Sequence, residues 1–271
     1  MPFALIGFVL GYLKSENQNY LTLLILVILC MVFARSAAMA FNRWLDRDID
    51  AKNPRTVIRE IPAGVISSKN ALLFVWINVI LFIVTTYFIN LLCFLLSPVA
   101  LLVILGYSYT KRFTALCHIV LGIGLGLAPV GAYLAVTGHF DWIPVLLGFS
   151  VLCWVAGFDI IYALQDQDFD KKNQLHSIPE TFGTQKALYI SRALHLMSAS
   201  LLSFVVYLTF ESYPQVGWLS FLAWGVFGTL LIYQHSIVKA NDLSRINFAF
   251  FTTNGVASVI FGCLLIFDLL V

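Results

Sequence analysis

From Tyr20 to Asp50 the chain reads YLTLLILVILCMVFARSAAMAFNRWLDRDID. Residues 20–42 are dominated by apolar side chains, and a run near 20 residues in α-helix spans the roughly 30 Å of bilayer hydrocarbon. The run then ends abruptly in Asn42-Arg-Trp-Leu-Asp46-Arg-Asp-Ile-Asp50. Carboxylates at a membrane boundary are costly to bury, so they mark a functional site with a positive partner.

The rest of the chain repeats this character. Of 271 residues, 60% are hydrophobic and 11% charged, against about a quarter charged in a soluble domain. Mean hydropathy is +0.90. The apolar residues come in continuous runs and lack the period-two alternation of a β-barrel. The expected fold is all-α: a polytopic membrane protein with nine transmembrane helices around a central cavity, and a single membrane-embedded domain over 1–271. The runs fall at roughly 1–13, 20–42, 71–89, 91–108, 115–137, 142–163, 187–210, 215–235 and 248–271. The first covers about 20 Å as helix, too short to span, so the chain is expected to begin inside a longer natural N-terminal segment. Met1 opens into apolar sequence with no basic region or cleavage site, and no separate signal peptide is expected. The five cysteines lie in or beside apolar runs without a C-x-x-C pair and read as small buried hydrophobes. No nucleic-acid partner is implied; the bilayer is the expected environment.

Loop charge orients the bundle. The loops after the second, fourth, sixth and eighth runs carry Arg43, Arg47, Lys52, Arg55, Arg59, Lys69, Lys111, Arg112, Lys171, Lys172, Lys186, Lys239 and Arg245. The loops after the odd runs carry only Lys14. The positive-inside rule puts the even loops and the N-terminus in the cytoplasm. A bacterial-type inner membrane is the expected location.

A second acidic motif ends the sixth run: Asp159-Ile-Ile-Tyr162-Ala-Leu-Gln-Asp166-Gln-Asp-Phe-Asp170. Both motifs therefore lie at the cytoplasmic end, and both end a run and open a polar loop, a hint of internal duplication. Helical phase sorts their acids. At 100° per residue, Asn42, Asp46 and Asp50 fall within about 80°, with Arg35 on the same stripe. Asp159, Asp166 and Asp170 fall within about 40°, flanked by Tyr162. Asp48 and Asp168 point away and read as ordinary ion-paired surface acids.

Two such stripes facing each other supply carboxylate oxygens for Mg²⁺, which prefers a few carboxylates, retained waters and phosphate oxygens. Asp46, Asp50, Asp166 and Asp170 are the candidate metal ligands. Bound metal would neutralise a diphosphate and improve it as a leaving group. Between the stripes, Tyr107-Ser-Tyr-Thr-Lys111-Arg112 ends the fourth run at the same level, and its cations can clamp phosphate oxygens. Arg55 and Arg59 are either clamps or positive-inside anchors. Arg35, inside an apolar run, is expected to point into a cavity. His118, His139, His176, His195 and His235 show no paired spacing and read as boundary or packing residues.

These motifs resemble the UbiA superfamily of membrane-embedded aromatic prenyltransferases over essentially the whole chain. Asn42-x-x-x-Asp46-x-x-x-Asp50 looks like its first signature, and Asp159-x-x-Tyr162-x-x-x-Asp166-x-x-x-Asp170 like its second. Tyr107-x-x-x-Lys111 looks like the basic signature between them. The segment from Asn42 through Arg55 and Pro62-Ala-Gly64 also resembles haem O synthases. The second signature, with Tyr162, resembles the 4-hydroxybenzoate polyprenyltransferase branch instead.

The resemblance implies Mg²⁺-dependent transfer of a polyprenyl group from polyprenyl diphosphate to an aromatic acid, 4-hydroxybenzoate first, in quinone biosynthesis. The alternatives are 1,4-dihydroxy-6-naphthoate prenylation for menaquinone and haem O synthesis. It implies catalytic roles for Asp46, Asp166 and Lys111. Asn42, Tyr107, Lys111 and Arg112 would bind diphosphate, and Arg35, Asp159 and Tyr162 the acceptor. Two other classes stay in view. A transporter also carries intramembrane carboxylates, and Gly122, Gly124, Gly126 and Pro129 mark either a broken helix or close helix packing. A phosphotransferase acting on CDP-alcohols uses Asp-x-x-x-Asp too, but its Asp-Gly pair is missing here.

Overall fold

A computed structural model describes residues 1–15 and 19–271. Each apolar run forms a helix. They are α1 (Pro2–Lys14), α2 (Tyr20–Leu45), a short α3 (Arg47–Asp50), α4 (Ser68–Ile89), α5 (Leu91–Thr110), α6 (Cys117–Thr137) and α7 (Trp142–Ala163). Then follow a 3₁₀ turn Leu164–Asp166, a short α8 (Gln167–Lys172), α9 (Ile178–Ser212), α10 (Trp218–Ile237), a π-helical turn Phe248–Thr253 and α11 (Asn254–Leu270). Among the described residues the helices are joined by loops and one isolated bridge, Lys239 with Asp242, and no strand forms.

The chain is a polytopic membrane protein, and among the described residues seven helices are long and apolar enough to cross a bilayer. The expectation of nine spans is corrected at two places. Pro2–Lys14 has only 13 residues. Trp218–Ile237 carries Ser220, Thr229, Gln234 and His235 and is not among the seven. The seventh run also starts earlier than 187: α9 begins at Ile178, where the Ser177 hydroxyl accepts the Glu180 amide at 3.2 Å. Its first turns are polar (Glu180, Thr181, Gln185, Lys186), so apolar periodicity alone misses them. They are set off by Gly183 at φ 79°, a left-handed conformation that glycine adopts freely.

α7 packs along α6 on one side and α9 on the other. Lipid tails are as apolar as leucine, so close backbone approach drives helix association more than burial does. Gly126 and Gly148 provide that approach. A Cβ on either would lie 2.6 Å from the other's carbonyl oxygen. α6 is helical throughout, so its glycines serve packing and make no break. Around this contact Phe3, Ile6, Leu147, Val155, Leu202, Phe227 and Phe261 form the main core.

The two ends of the bundle differ. At one end the loops are tied to each other. Asn90, between α4 and α5, accepts the Cys93 amide and donates to the Leu134 carbonyl, each at 2.8 Å. Lys14 reaches Asp141, the cap of α7, at 2.6 Å. α5 runs from there to Lys111 at the other end, where both acidic motifs stand. All five cysteines are free thiols; only Cys153 is buried, whereas Cys263 is exposed and Cys30, Cys93 and Cys117 are half-buried. The uniform buried role expected for them therefore holds for one.

Candidate active site

Neither acidic motif is one continuous helix. α2 stops at Leu45 and α3 restarts at Arg47; between them Asp46 sits at φ −91°, ψ 3°. α7 gives way to a 3₁₀ turn and then α8, and Asp166 sits at φ −104°, ψ 3°. Both central aspartates thus occupy the sparsely populated bridge region, where many active-site residues are found. The shared break extends the parallel between the motifs from sequence to backbone.

The acids are held by bases. Asp46 is 1% exposed and meets Lys111 Nζ at 2.5 Å and Arg112 Nη2 at 3.1 Å. Asn42 Nδ2 donates to Asp46 at 3.2 Å. Asp50, also buried, takes both carboxylate oxygens to Arg59 Nη1, each at 2.8 Å. Asp166 receives Arg55 through Nε at 3.0 Å and through Nη2, and Asn53 Nδ2 at 3.1 Å. Burial lowers the Arg55 guanidinium, but its contacts to Asp166 and Tyr162 outweigh this and hold it above its ordinary value. Asp159 pairs with His118: Nδ1 lies 2.7 Å from Oδ2. Asp170 makes no ion pair among the described residues.

Two cavities open on this network. The larger, of about 170 Å³, is bordered by Tyr107, Lys111, Cys117, His118, Leu121, Asp159, Tyr162 and Ala163. The smaller, of about 120 Å³, is bordered by Asp46, Asp50, Asn53, Arg55, Arg59 and Phe169. Asn42, Lys111, Asp166 and Asp170 border both. One compartment is thus strongly charged and the other mixes acids with apolar walls. Tyr162 stands beside Asp166 between them. Its hydroxyl accepts Arg55 Nη1 at 3.0 Å, and its ring stacks on Phe250 at 4.1 Å. The π-helical turn presents Phe250, and side-chain amides hold its carbonyls. Gln234 donates to Ala249 O and Asn254 to Phe250 O, each at 3.0 Å.

The structure therefore brings Asn42, Asp46, Asp50, Tyr107, Lys111, Asp159, Tyr162, Asp166 and Asp170 to two adjoining cavities, with Arg112 behind Asp46. Asp48 and Asp168 are exposed. Arg35 stands apart from them. It is exposed on α2 and borders neither cavity, because seven residues of helix set it about 10 Å from Asn42 along the axis. It shares the stripe but not the depth.

Asn53, Arg55, Arg59 and His118 were not singled out by periodicity. The first three sit on a loop, which has none. The Asn53 side chain accepts the Arg55 amide at 2.9 Å, and Thr56 donates to Asp50 O at 3.2 Å, so the chain folds back over its own motif. The Asn53-Pro54 turn after Asp50 is the available signal. His118 is far from Asp159 in sequence, and so are His195 and His235, whose rings meet at 2.9 Å. Spacing along the chain shows none of these contacts.

Residues 1–256 match the UbiA prenyltransferase family. Among curated relatives, a 4-hydroxybenzoate octaprenyltransferase of Aliivibrio fischeri (strain MJ11) is 30% identical over 92% of this chain and 85% of its own. One of Nitrosomonas eutropha is 32% identical over 94% and 87%. Among solved structures, a UbiA homolog from Aeropyrum pernix K1 superposes with TM-score 0.86 at 31% identity, covering 99% of this chain and 98% of that one. A UbiA homolog from Archaeoglobus fulgidus bound to GPP and Mg²⁺ has the same fold, with TM-score 0.68 at 22% identity over 100% and 96%. With two acidic motifs around a basic one in a bundle of this shape, the chain belongs to the UbiA prenyltransferase family.

Proposed function

We propose that this chain transfers a polyprenyl group from polyprenyl diphosphate to an aromatic acid, 4-hydroxybenzoate, in quinone biosynthesis. The observation that carries the reading is the pair of adjoining cavities, one charged and one partly apolar, sharing Asn42, Lys111, Asp166 and Asp170. The charged one suits a diphosphate. The other, of about 170 Å³, has Tyr107, Tyr162, Leu121 and Ala163 among its walls, which supports a place for an aromatic ring. The names of the relatives support the acceptor, and the Archaeoglobus homolog bound to GPP supports a prenyl diphosphate donor.

The donor set fits Mg²⁺. It is all carboxylate oxygen. That suits an ion which takes one or two carboxylates and completes its shell with phosphate and water. Asp46, Asp50, Asp166 and Asp170 would hold it. Bound there, Mg²⁺ would neutralise diphosphate charge and make the group easier to expel.

The chain's own residues do the rest. Lys111 and Arg112 exchange carboxylate for phosphate oxygens, and Arg112 Nη1 is buried without a partner among the described residues, a donor available to an anion. Asn42 orients Asp46, and Tyr107 walls the ring's compartment. The donor C–O bond breaks with its electron pair on the diphosphate. The ring carbon beside the hydroxyl attacks, and a ring proton is lost. Tyr162 and Phe250 supply aromatic faces near the developing cation. The Lys- and Arg-rich loops after α2, α5 and α7 support a cytoplasmic position for this end of the bundle in a bacterial-type inner membrane.

The test is purified protein with polyprenyl diphosphate, Mg²⁺ and a panel of aromatic acids, with products read by mass. Prenylated 4-hydroxybenzoate with diphosphate release is expected. Product from the naphthoate alone would move the acceptor. Transfer surviving both Asp46→Ala and Asp166→Ala would remove the diphosphate reading.

A further inference from the structure

One acid of the site has a partner unlike the others. Asp46, Asp50 and Asp166 each pair with lysine or arginine. Asp159 pairs with an imidazole. His118 is 3% exposed and its tautomer is set from both sides. Nε2 faces the Ile178 amide at 3.4 Å, a contact in which the ring nitrogen accepts. Nδ1 therefore carries the hydrogen and donates it to Asp159 at 2.7 Å. The amide is the first of α9, locked by the Ser177 cap, so the imidazole is fixed between two helices.

Asp159 borders the larger cavity and not the smaller one. Its side chain is 24% exposed, so a proton gained there can leave to water. We propose that Asp159 takes the proton released by the aromatic acceptor, and that His118 is the positioning residue that aims this carboxylate and holds it ready. The inference rests on the aromatic-acid reading above. The balance is simple. The donor C–O electron pair leaves with diphosphate. A ring electron pair forms the new C–C bond. The ring C–H proton passes to Asp159, and the C–H electrons return to the ring.

The experiment compares wild type with Asp159→Asn, His118→Leu and His118→Asn. Each is given polyprenyl diphosphate, Mg²⁺ and 4-hydroxybenzoate with or without deuterium at the ring carbons beside the hydroxyl. Asp159→Asn and His118→Leu should lower kcat about 100-fold or more, as loss of a positioned proton acceptor does. KM for the diphosphate should hold, and a primary isotope effect should appear as proton removal becomes limiting. His118→Asn, whose amide can donate from the place of Nδ1, should recover most of the rate. Retained Mg²⁺-dependent binding of the diphosphate reports folding; if His118→Leu does not fold, Asp159→Asn carries the test.

Near-wild-type kcat in Asp159→Asn would overturn the proposal. So would a fall in rate with no isotope effect and no recovery in His118→Asn, which is the signature of a purely structural contact. No product from wild type with any aromatic acid would remove the acceptor reading, and this inference with it. Wild-type product with unaffected variants would remove the inference alone.

Discussion

The two acidic motifs share a backbone and differ in what surrounds it. Each breaks its helix at the central aspartate, at nearly the same φ and ψ. In the first, Asp46 and Asp50 are 1% and 4% exposed and neutralised by Lys111, Arg112 and Arg59. In the second, the side chains of Asp159 and Asp166 are 24% and 19% exposed, and Asp170 makes no ion pair among the described residues. A buried carboxylate with fixed cations serves the fold as well as the chemistry. A more open one is free to exchange partners. The first motif is thus the part of the site built into the scaffold, and the second is the part that responds to substrate.

Metal removal makes the sharpest division. Because basic side chains already neutralise the acids, chelating Mg²⁺ should abolish transfer while the melting temperature in detergent stays put. A large fall in melting temperature on chelation would mean that metal, not Lys111 and the arginines, holds the motifs together.

Single acids should then separate the motifs. Asp166→Ala should reduce transfer by about 100- to 1000-fold, the scale of losing one electrostatic element of an active site, with a small change in melting. Asp46→Ala should lose transfer too and cost more stability than Asp166→Ala, since it leaves Lys111 and Arg112 side by side without their shared anion. Equal melting temperatures for the two variants would break the comparison. The arginines repeat it on a smaller scale. Arg59→Ala strands the buried Asp50 and should cost about 3 kcal/mol. Arg55→Ala leaves the more solvated Asp166 and should cost about 1 kcal/mol or less.

How much of this was legible before any coordinates follows the reach of helical periodicity. The apolar runs and the inward phase of Asp46, Asp50, Asp159, Asp166 and Asp170 repeat within a turn or two, so the chain carries them locally. The phase survives because each break is short, one residue in the first motif and a three-residue 3₁₀ turn in the second. Arg35 shows the limit: phase fixes a direction around a helix and not a depth along it. Arg55, Arg59 and His118 lie beyond that reach. Two stand on a loop, and the third meets Asp159 only because α6 and α7 pack through Gly126 and Gly148. Such pairings are set by tertiary approach, which spacing does not encode.

The smallest expected effect tests the phase argument itself. Asp48 and Asp168 interleave with the inward acids and carry the same charge, yet both are exposed, and Asp48 has only Arg47 at 3.7 Å. Exposed pairs of that kind contribute about 0–1 kcal/mol. Asp48→Asn and Asp168→Asn should therefore leave transfer within about twofold and stability within about 0.5 kcal/mol, the usual range for surface substitutions. If Asp168→Asn instead weakened binding of polyprenyl diphosphate, the field of the whole acidic end would be acting on the substrate. The division into inward acids and bystanders would then lose its force for the open motif first, where solvent already reaches the acids, and only later for the buried one.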